Sequence, residues 1–234
     1  MNCKPYLDYK ESSVQWLGEV PEGWRIIALK RQFQVVCGST PKSNNEAYWD
    51  GTIVWVTPAD LSKLPSLYID DSQRKITADG LASCGSTLVS KHSIILSTRA
   101  PIGSLAIAET DLCTNQGCKS LVPLKETAAS FFAYLLSIST DELNVRGKGT
   151  TFLELSGDEL GAFEVPLPPL PEQRAIAAFL DRETAKLDAL TAEANRAIAL
   201  LRERRSALIS AAVTGKIDVR SFVSTWPEYQ EANA

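Results

Sequence analysis

The stretch PLPPLPEQRAIAAFLDRETAKLDAL, from Pro166 to Leu190, decides the fold of this 234-residue chain. Its four prolines are expected to stop regular structure, because proline lacks the amide hydrogen that helices and sheets require. A strongly helical sequence then begins near Pro171, a residue type favoured in the first turn, and Glu172 complements the positive end of the helix dipole. The sequence therefore predicts a proline hinge followed by one long helix.

Apolar residues repeat along this helix at intervals of about seven, which is typical of a coiled coil. The residues predicted to form this seam are Ile176, Leu180, Leu187, Leu190, Ala194, Ala197, Leu201 and Leu208. At about 1.5 Å per residue the helix would extend roughly 60 Å, which is more than the preceding domain can cover. Either it folds back in two halves onto that domain, or it pairs with another chain. We favour pairing, because the sequence contains no second helix of matching length.

The first 165 residues have the pattern of a mixed α/β domain, since a turn-forming glycine, proline, asparagine or serine follows nearly every short β-rich run. The clearest predicted strands lie within 52–56, 93–98, 103–109 and 119–124. A helix is predicted over 127–139, where Phe131, Leu135 and Ile138 have helical spacing. Ser156 and Glu159 have the spacing of a capping box that begins a short helix.

These patterns predict an α+β fold, in which a globular domain precedes a long coiled-coil-forming helix. The expected organisation is a domain over 1–165, then the hinge, helix and a short C-terminal clasp over 166–220, and a tail over 221–234. Gly215 is expected to end the helix, and Ile217 with Val219 to form the clasp.

Composition and residue spacing argue against several classes of protein. The 44% hydrophobic and 22% charged residues are ordinary for a globular protein, and the polar N-terminus has no signal-peptide core, which favours the cytoplasm. Five cysteines fit no disulfide framework, and Cys113, Cys118 and the single His92 do not make a convincing zinc set. No phosphate-binding loop, dinucleotide fingerprint or methyltransferase motif is present. We therefore expect no metal, no cofactor and no catalytic activity, although an enzyme with an unfamiliar site stays open.

Four polar loops supply the types of side chain that bind DNA. Arginine and lysine bind guanine, asparagine and glutamine bind adenine, and hydroxyls hold phosphates. The candidate contacts are Ser39, Thr40, Lys42, Thr98, Arg99, Asn115, Gln116, Lys119, Arg146, Lys148, Thr150 and Thr151. The net charge of −4 means that any DNA contact is a local patch, or that a partner supplies phosphate contacts.

In this order, the motifs resemble those of the specificity subunit of Type I restriction–modification systems, over nearly the whole chain. The matching stretches are VQWLGEVPEGWRIIALK (14–30), GSTPKS (38–43), YWDGTIVWVTPADL (48–61), ILSTRAPIGSLAIAE (95–109), CTNQGCKSLVP (113–123), RGKGTTFLELSGDELGAFEVPLPPLPEQRAIAAFLD (146–181) and ALISAAVTGKIDVR (207–220). The resemblance implies a non-catalytic target recognition domain for double-stranded DNA, on which methyltransferase and restriction–translocase subunits assemble.

A full subunit of that family carries two recognition domains and two helices, whereas this chain has one of each. Its beginning and end resemble those of a full subunit, so a half-length subunit that forms an antiparallel homodimer is expected. Contacts with bases or nearby phosphates are expected from Arg99, Asn115, Gln116 and Lys119. Contacts that position the DNA backbone are expected from Lys42, Arg146, Lys148, Thr150 and Thr151.

Two matters stay open at the level of the sequence. A half-subunit that binds the methyltransferase without reading DNA, as a decoy or regulator, is the alternative function. Arg196, Arg202 and Arg205 on the helix either dock a partner or form a solvated face.

Overall fold

The computed structural model describes residues 4–99, 101–148 and 153–220. The chain divides by its internal contacts into two units, Met1–Ala178 and Phe179–Ala234, which are described separately. The first unit thus ends beyond residue 165, where the sequence predicted the domain to end, because the first turns of the long helix belong to it.

Short strands and helices contribute about equally to the regular structure described in the first unit. In chain order they are β1 (Tyr9–Glu11), β2 (Glu19–Pro21), β3 (Arg25–Ala28), β4 (Phe33–Cys37), β5 (Trp49–Val56), β6 (Tyr68–Ile69), β7 (Lys75–Ile76), β8 (Ile94–Ser97), β9 (Leu105–Ala108), β10 (Leu112–Thr114), β11 (Cys118–Pro123) and β12 (Glu164–Leu167). The α-helices are α1 (Pro58–Leu61), α2 (Ala78–Ala82), α3 (Ala129–Ile138), α4 (Thr140–Arg146), α5 (Gly157–Ala162) and α6 (Leu170–Val213). The fold is α+β, as predicted.

A five-stranded sheet in the order β4-β11-β8-β9-β6 forms the centre of the first unit. It contains three of the four predicted strands, and β8 is buried along its whole length. Side chains alternate between the two faces of a strand, so Ile94 and Leu96 enter the main core while Ile95 enters a second apolar cluster. The main core lies between this sheet and α3, α4 and α5, whose buried side chains include Phe132 and Leu160.

A smaller sheet in the order β10-β5-β7 contains the fourth predicted strand. Its strands β5 and β10 are parallel, so both end at the same edge of the sheet. Trp49, Trp55, Ile76 and Cys113 form a small apolar cluster on it.

The prolines after residue 165 do not exclude regular structure entirely, which corrects the sequence prediction. β12 includes Pro166 and pairs antiparallel with β3, where Pro166 lies opposite Ile26. Each strand of this two-stranded ribbon has an open edge, where a missing amide hydrogen removes no ladder bond. A strand pairing therefore precedes the long helix.

The predicted helices of the first unit are confirmed. α3 lies within the predicted 127–139, and its buried residues are Phe131, Phe132, Ala133 and Leu136. Ile138, at its last position, is 77% exposed rather than part of the core. Ser156 caps α5, because its hydroxyl oxygen accepts a hydrogen bond from the backbone N–H of Glu159 at 3.1 Å. The Glu159 carboxylate binds Lys148 and not the Ser156 N–H, so only the serine half of the predicted capping box is present.

The first turns of α6 are anchored to the domain by Gln173, which is 3% exposed. Its amide oxygen accepts hydrogen bonds from the Thr127 hydroxyl at 3.1 Å and the Ala128 N–H at 3.2 Å. Its amide nitrogen donates to the Pro168 carbonyl at 2.9 Å. Ile176, the first residue of the predicted seam, packs against the main core. The start of the helix is therefore fixed by buried hydrogen bonds and apolar contact.

The second unit continues α6, and we name its helical part, 179–213, the arm. α6 is one unbroken helix of 44 residues, not two halves. Every residue from 185 to 210 is exposed, including the predicted seam residues in that range. Gly215 has a φ of 73°, and the Lys216 N–H donates to the Ala211 carbonyl at 2.8 Å, so the helix ends where the sequence predicted. In the described part of the chain no helix is long and apolar enough to span a membrane.

Candidate nucleic-acid interface

The register of the central sheet brings the ends of several strands to one edge. Cys37, the last residue of β4, lies opposite Lys119 of β11, and Ser97, the last of β8, lies opposite Cys118. The segments that follow β4 and β8 therefore meet the segment that precedes β11. These segments are three of the four polar loops predicted from the sequence. We name the described residues of 38–45, 98–104, 113–120 and 146–155 the loop cluster.

The first and third loops contact each other directly. The Ser39 N–H donates to the Thr114 carbonyl at 2.9 Å. The exposed Thr40 hydroxyl donates to the side-chain oxygen of Gln116, which is also exposed. Two residues predicted as DNA contacts are thus neighbours on one surface, although 76 positions separate them in the chain.

Two tryptophans of β5 hold the backbone of the first loop. The Trp55 indole N–H donates to the Ser39 carbonyl at 3.0 Å, and that of Trp49 donates to the Lys42 carbonyl at 3.2 Å. The Arg74 guanidinium lies 3.6 Å from the centroid of the Trp49 ring. This role of the two tryptophans was not predicted from the sequence, although a buried indole N–H normally requires a partner.

Thr98 links the second loop to the third and is not a surface residue. It is 0% exposed, and its N–H and hydroxyl both donate to the Gly117 carbonyl, at 2.8 and 3.3 Å. Thr98 was predicted to contact DNA, but burial withholds its side chain from a ligand. The reason is that the chain stays buried for one residue beyond the end of β8 at Ser97, so the loop surface begins at Arg99.

The two side-chain amides of the third loop, Asn115 and Gln116, differ in exposure and in hydrogen bonding. The Asn115 side-chain oxygen accepts the Gly117 N–H at 2.9 Å, and the Asn115 N–H donates to the Val56 carbonyl at 3.0 Å. Asn115 thus stabilises its own turn and is half-buried, whereas Gln116 is exposed. Gln116 is the better placed of the two to bind a base.

Glu154 joins the second, third and fourth loops, a role that was not predicted from the sequence. Its carboxylate accepts a hydrogen bond from Arg99 Nε at 3.1 Å and lies 3.7 Å from Lys119 Nζ. The Lys119 side chain is only 8% exposed, so this carboxylate provides the charge that a nearly buried ammonium requires. A single glutamate between apolar residues in "FLEL" carries no sequence signal of this role.

The fourth loop places two predicted cations differently. Lys148 is 78% exposed and pairs with Glu159, which holds the pKa of that carboxyl below its ordinary value of 4.5. The Arg146 guanidinium lies 5.2 Å from the centroid of the Phe163 ring. Thr150 and Thr151 lie outside the described residues. Lys42 in the first loop is exposed, and it has no ion-pair partner within the described residues.

The cysteines near the loop cluster behave as core residues. Cys113 and Cys118 are buried, and burial raises the pKa of their thiols to about 11 and about 12. A raised pKa is typical of buried cysteines that are not reactive. Among the described residues no group of three or more histidine, cysteine, aspartate or glutamate side chains is placed to hold a metal.

The comparisons with known proteins agree on one family. Residues 21–199 match the model of the Type I restriction modification DNA specificity domain. The chain is 35% identical over 175 residues to the Type I restriction enzyme MjaIX specificity subunit of Methanocaldococcus jannaschii, covering 74% of this chain and 40% of the relative. It is 26% identical over 194 residues to the EcoR124I/EcoR124II specificity subunit of Escherichia coli, covering 79% and 43%. The chain thus spans less than half the length of these relatives.

Solved structures give the same result. A chain from a study of complex assembly and conformational transition of the type I R-M system matches with a TM-score of 0.67 and 25% identity, over 82% of this chain and 46% of that one. The HsdS subunit of Thermoanaerobacter tengcongensis matches with a TM-score of 0.59 and 25% identity, over 85% and 46%. Together with a family model that matches most of its length, these likenesses establish that the chain belongs to the Type I restriction–modification specificity subunits.

Proposed function

We propose that the chain is the DNA-recognition component of a Type I restriction–modification complex, without catalysis of its own, and reads half of a bipartite target. The observation that carries this proposal is the loop cluster. Polar loops predicted as DNA contacts from separate parts of the sequence meet at one sheet edge, joined by Thr40–Gln116 and Arg99–Glu154. One continuous polar surface is what base readout requires.

Within this surface the roles divide by exposure. Arg99 and Gln116 bind base edges in the major groove, since their end groups are exposed and suit guanine and adenine. Lys42 and Lys148 bind phosphates and set the position of the duplex. Thr98, Asn115 and Lys119 stabilise the loops through their contacts with Gly117, Gly117 and Glu154, respectively. Arg146, at the end of α4, contributes charge near the same edge.

We further propose that the arm pairs antiparallel with the arm of a second copy. Its apolar residues at 187, 190, 201 and 208 are 58% to 64% exposed, and an apolar stripe of this kind is stabilised when a second helix covers it. Two copies supply two loop clusters and two helices, and a two-fold dimer reads two half-sites. Methyltransferase and restriction subunits assemble on this dimer in the cytoplasm, with Arg196, Arg202 and Arg205 available on the arm for docking.

The proposal is tested by DNA binding of the full chain, alone and with a Type I methyltransferase subunit. Fluorescence anisotropy with a pool of randomised duplexes should show binding that weakens steeply with salt, since phosphate contacts release counterions. Sequencing of the bound fraction should show an enriched motif. A chain that captures the methyltransferase but adds no DNA affinity contradicts the proposal and fits a regulatory half-subunit instead.

A further inference from the structure

Glu154 lies on a backbone that is fixed from two sides. It forms antiparallel bridges with Arg99 and with Lys148. The Lys148 N–H donates to the Glu154 carbonyl and the Glu154 N–H donates to the Lys148 carbonyl, both at 3.0 Å. The next residue, Leu155, is fully buried, and its N–H donates to the Thr98 carbonyl at 2.9 Å. The root of the Glu154 side chain therefore has little freedom to move.

From this fixed position the Glu154 carboxylate binds the Nε atom of Arg99. Arg99 Nε donates to Glu154 Oε2 at 3.1 Å. Within the described residues, the two terminal amino groups of Arg99 have no hydrogen-bond partner. The Arg99 side chain is 45% exposed, so these amino groups remain accessible to a ligand.

We propose that Glu154 is a positioning residue for DNA recognition, which orients Arg99 so that its terminal amino groups make a bidentate contact with guanine. The inference rests on the proposed function and specifies a determinant of its selectivity. Arginine binds guanine O6 and N7 with two parallel donors, and that geometry requires a defined plane for the guanidinium. A hydrogen bond at Nε sets this plane before DNA arrives, which reduces the side-chain entropy lost on binding.

The charge of Glu154 separates this role from a purely structural one. A carboxylate beside DNA repels phosphates, so its removal should preserve or increase affinity for non-target duplexes. Loss of the Arg99 orientation should at the same time lower selectivity. Damage to the fold, in contrast, would lower both the affinity for non-target duplexes and the selectivity.

Lys119 complicates the simplest variant and determines the choice of others. Glu154→Ala leaves the nearly buried ammonium of Lys119 without this carboxylate and is expected to destabilise the chain. Glu154→Gln keeps an oxygen that accepts from Arg99 Nε but removes the charge. Glu154→Asp keeps the charge but withdraws the carboxylate from Nε by one methylene. The three variants therefore separate hydrogen bonding from charge.

The test uses the full chain with a pool of randomised duplexes and one fixed non-target duplex, under conditions where unfolding curves show each variant folded. Glu154→Ala, Glu154→Asp and Arg99→Ala should all lose preference at the same base position, by about tenfold. Glu154→Gln should retain most of that preference. In the Arg99→Ala background, Glu154→Ala should cause no further loss. Affinity of Glu154→Ala for the fixed duplex should equal or exceed that of the parent.

The outcomes distinguish this inference from the function on which it rests. A parent chain that enriches no sequence contradicts the proposed function and the inference together. A parent with a clear preference that Glu154→Ala and Glu154→Asp keep in full overturns the positioning role alone. Losses from Glu154→Asp and Arg99→Ala at different base positions overturn it as well.

Discussion

Gly38 packs directly against the backbone of Asn115, since a Cβ atom on Gly38 would lie 2.1 Å from the Asn115 carbonyl oxygen. Thr114 crowds the same point, with its hydroxyl oxygen 2.2 Å away. This close approach joins the first and third loops of the cluster, and only glycine permits it.

Gly38→Ala is therefore expected to separate these loops. Crowding against backbone costs about 1–3 kcal/mol of stability, and the altered spacing should reduce sequence selectivity in DNA binding. Urea unfolding measures the first effect and duplex selection the second. Gly85→Ala is the matched control, because its nearest neighbour, Ser39 Cβ, is 4.0 Å away. Equal stability of the two variants would contradict the close packing.

Lys148→Ala and Gln116→Ala should weaken DNA binding in different ways. Removing one phosphate contact should lower the slope of log affinity against log salt by about 0.9 and affect all sequences alike. Removing the Gln116 amide should change preference at one base position and leave the salt slope unchanged. Anisotropy titrations across a salt series measure both. If both variants bind as the parent does, the loop cluster is not the DNA surface.

The Lys148–Glu159 pair predicts a pH effect with a defined sign. Because Lys148 lowers the pKa of Glu159, the stabilisation is present above the ordinary value of 4.5 and is lost as pH falls through the lowered pKa. A carboxyl-detected NMR titration should find a lower midpoint for Glu159 in the parent than in Lys148→Ala. Coincident midpoints would show that the two side chains do not pair in solution.

Gln173 should be a strong determinant of stability. Gln173→Glu has nearly the same shape, but it places a carboxylate oxygen against the Pro168 carbonyl in a buried site. The Pro168 carbonyl and the new carboxylate oxygen would then lack a hydrogen bond, which should lower the free energy of unfolding by about 1–3 kcal/mol at neutral pH. Denaturant unfolding measures this, with Arg174→Gln on the exposed neighbouring position as control. An unchanged midpoint for Gln173→Glu would mean that the helix start is not held as described.

The arm should fail to self-associate when a charge enters its apolar seam. Leu201 is 64% exposed in the single chain, and Leu201→Glu should shift the sedimentation mass at micromolar concentration from two chains towards one. Ala199→Glu adds the same charge two positions away, off the predicted seam, and should leave the dimer intact. A parent mass of one chain, with and without methyltransferase, contradicts the homodimer.

The sequence predicted those elements whose signals are local. Ile94–Ser97 and Cys118–Pro123 are β-rich runs bounded by turn residues, and the 44-residue helix has its own repeat and its own glycine stop. The pairing of Arg25–Ala28 with Glu164–Leu167 escaped prediction, since two short segments far apart in sequence become strands only by meeting.

In the candidate site too, features with a local sequence signal were predictable and features that depend on contacts between distant segments were not. The loops were recognisable by their polar side chains, and the sheet register brings them together. The burial of Thr98 and the contacts of Glu154 depend on which loops meet, and a single sequence carries no record of that. Residue type thus indicated which loops are polar, while tertiary contact decided which of their side chains are exposed.

A methylation map tests the central proposal most directly. The chain is expressed with a Type I methyltransferase subunit from the same genome, and the host DNA is sequenced with detection of modified bases. DNA recognition by an antiparallel homodimer predicts new methylation at a split motif whose two halves are related by two-fold symmetry. A split but asymmetric motif would contradict the homodimer, and no new methylation with the methyltransferase bound would contradict DNA recognition by this chain.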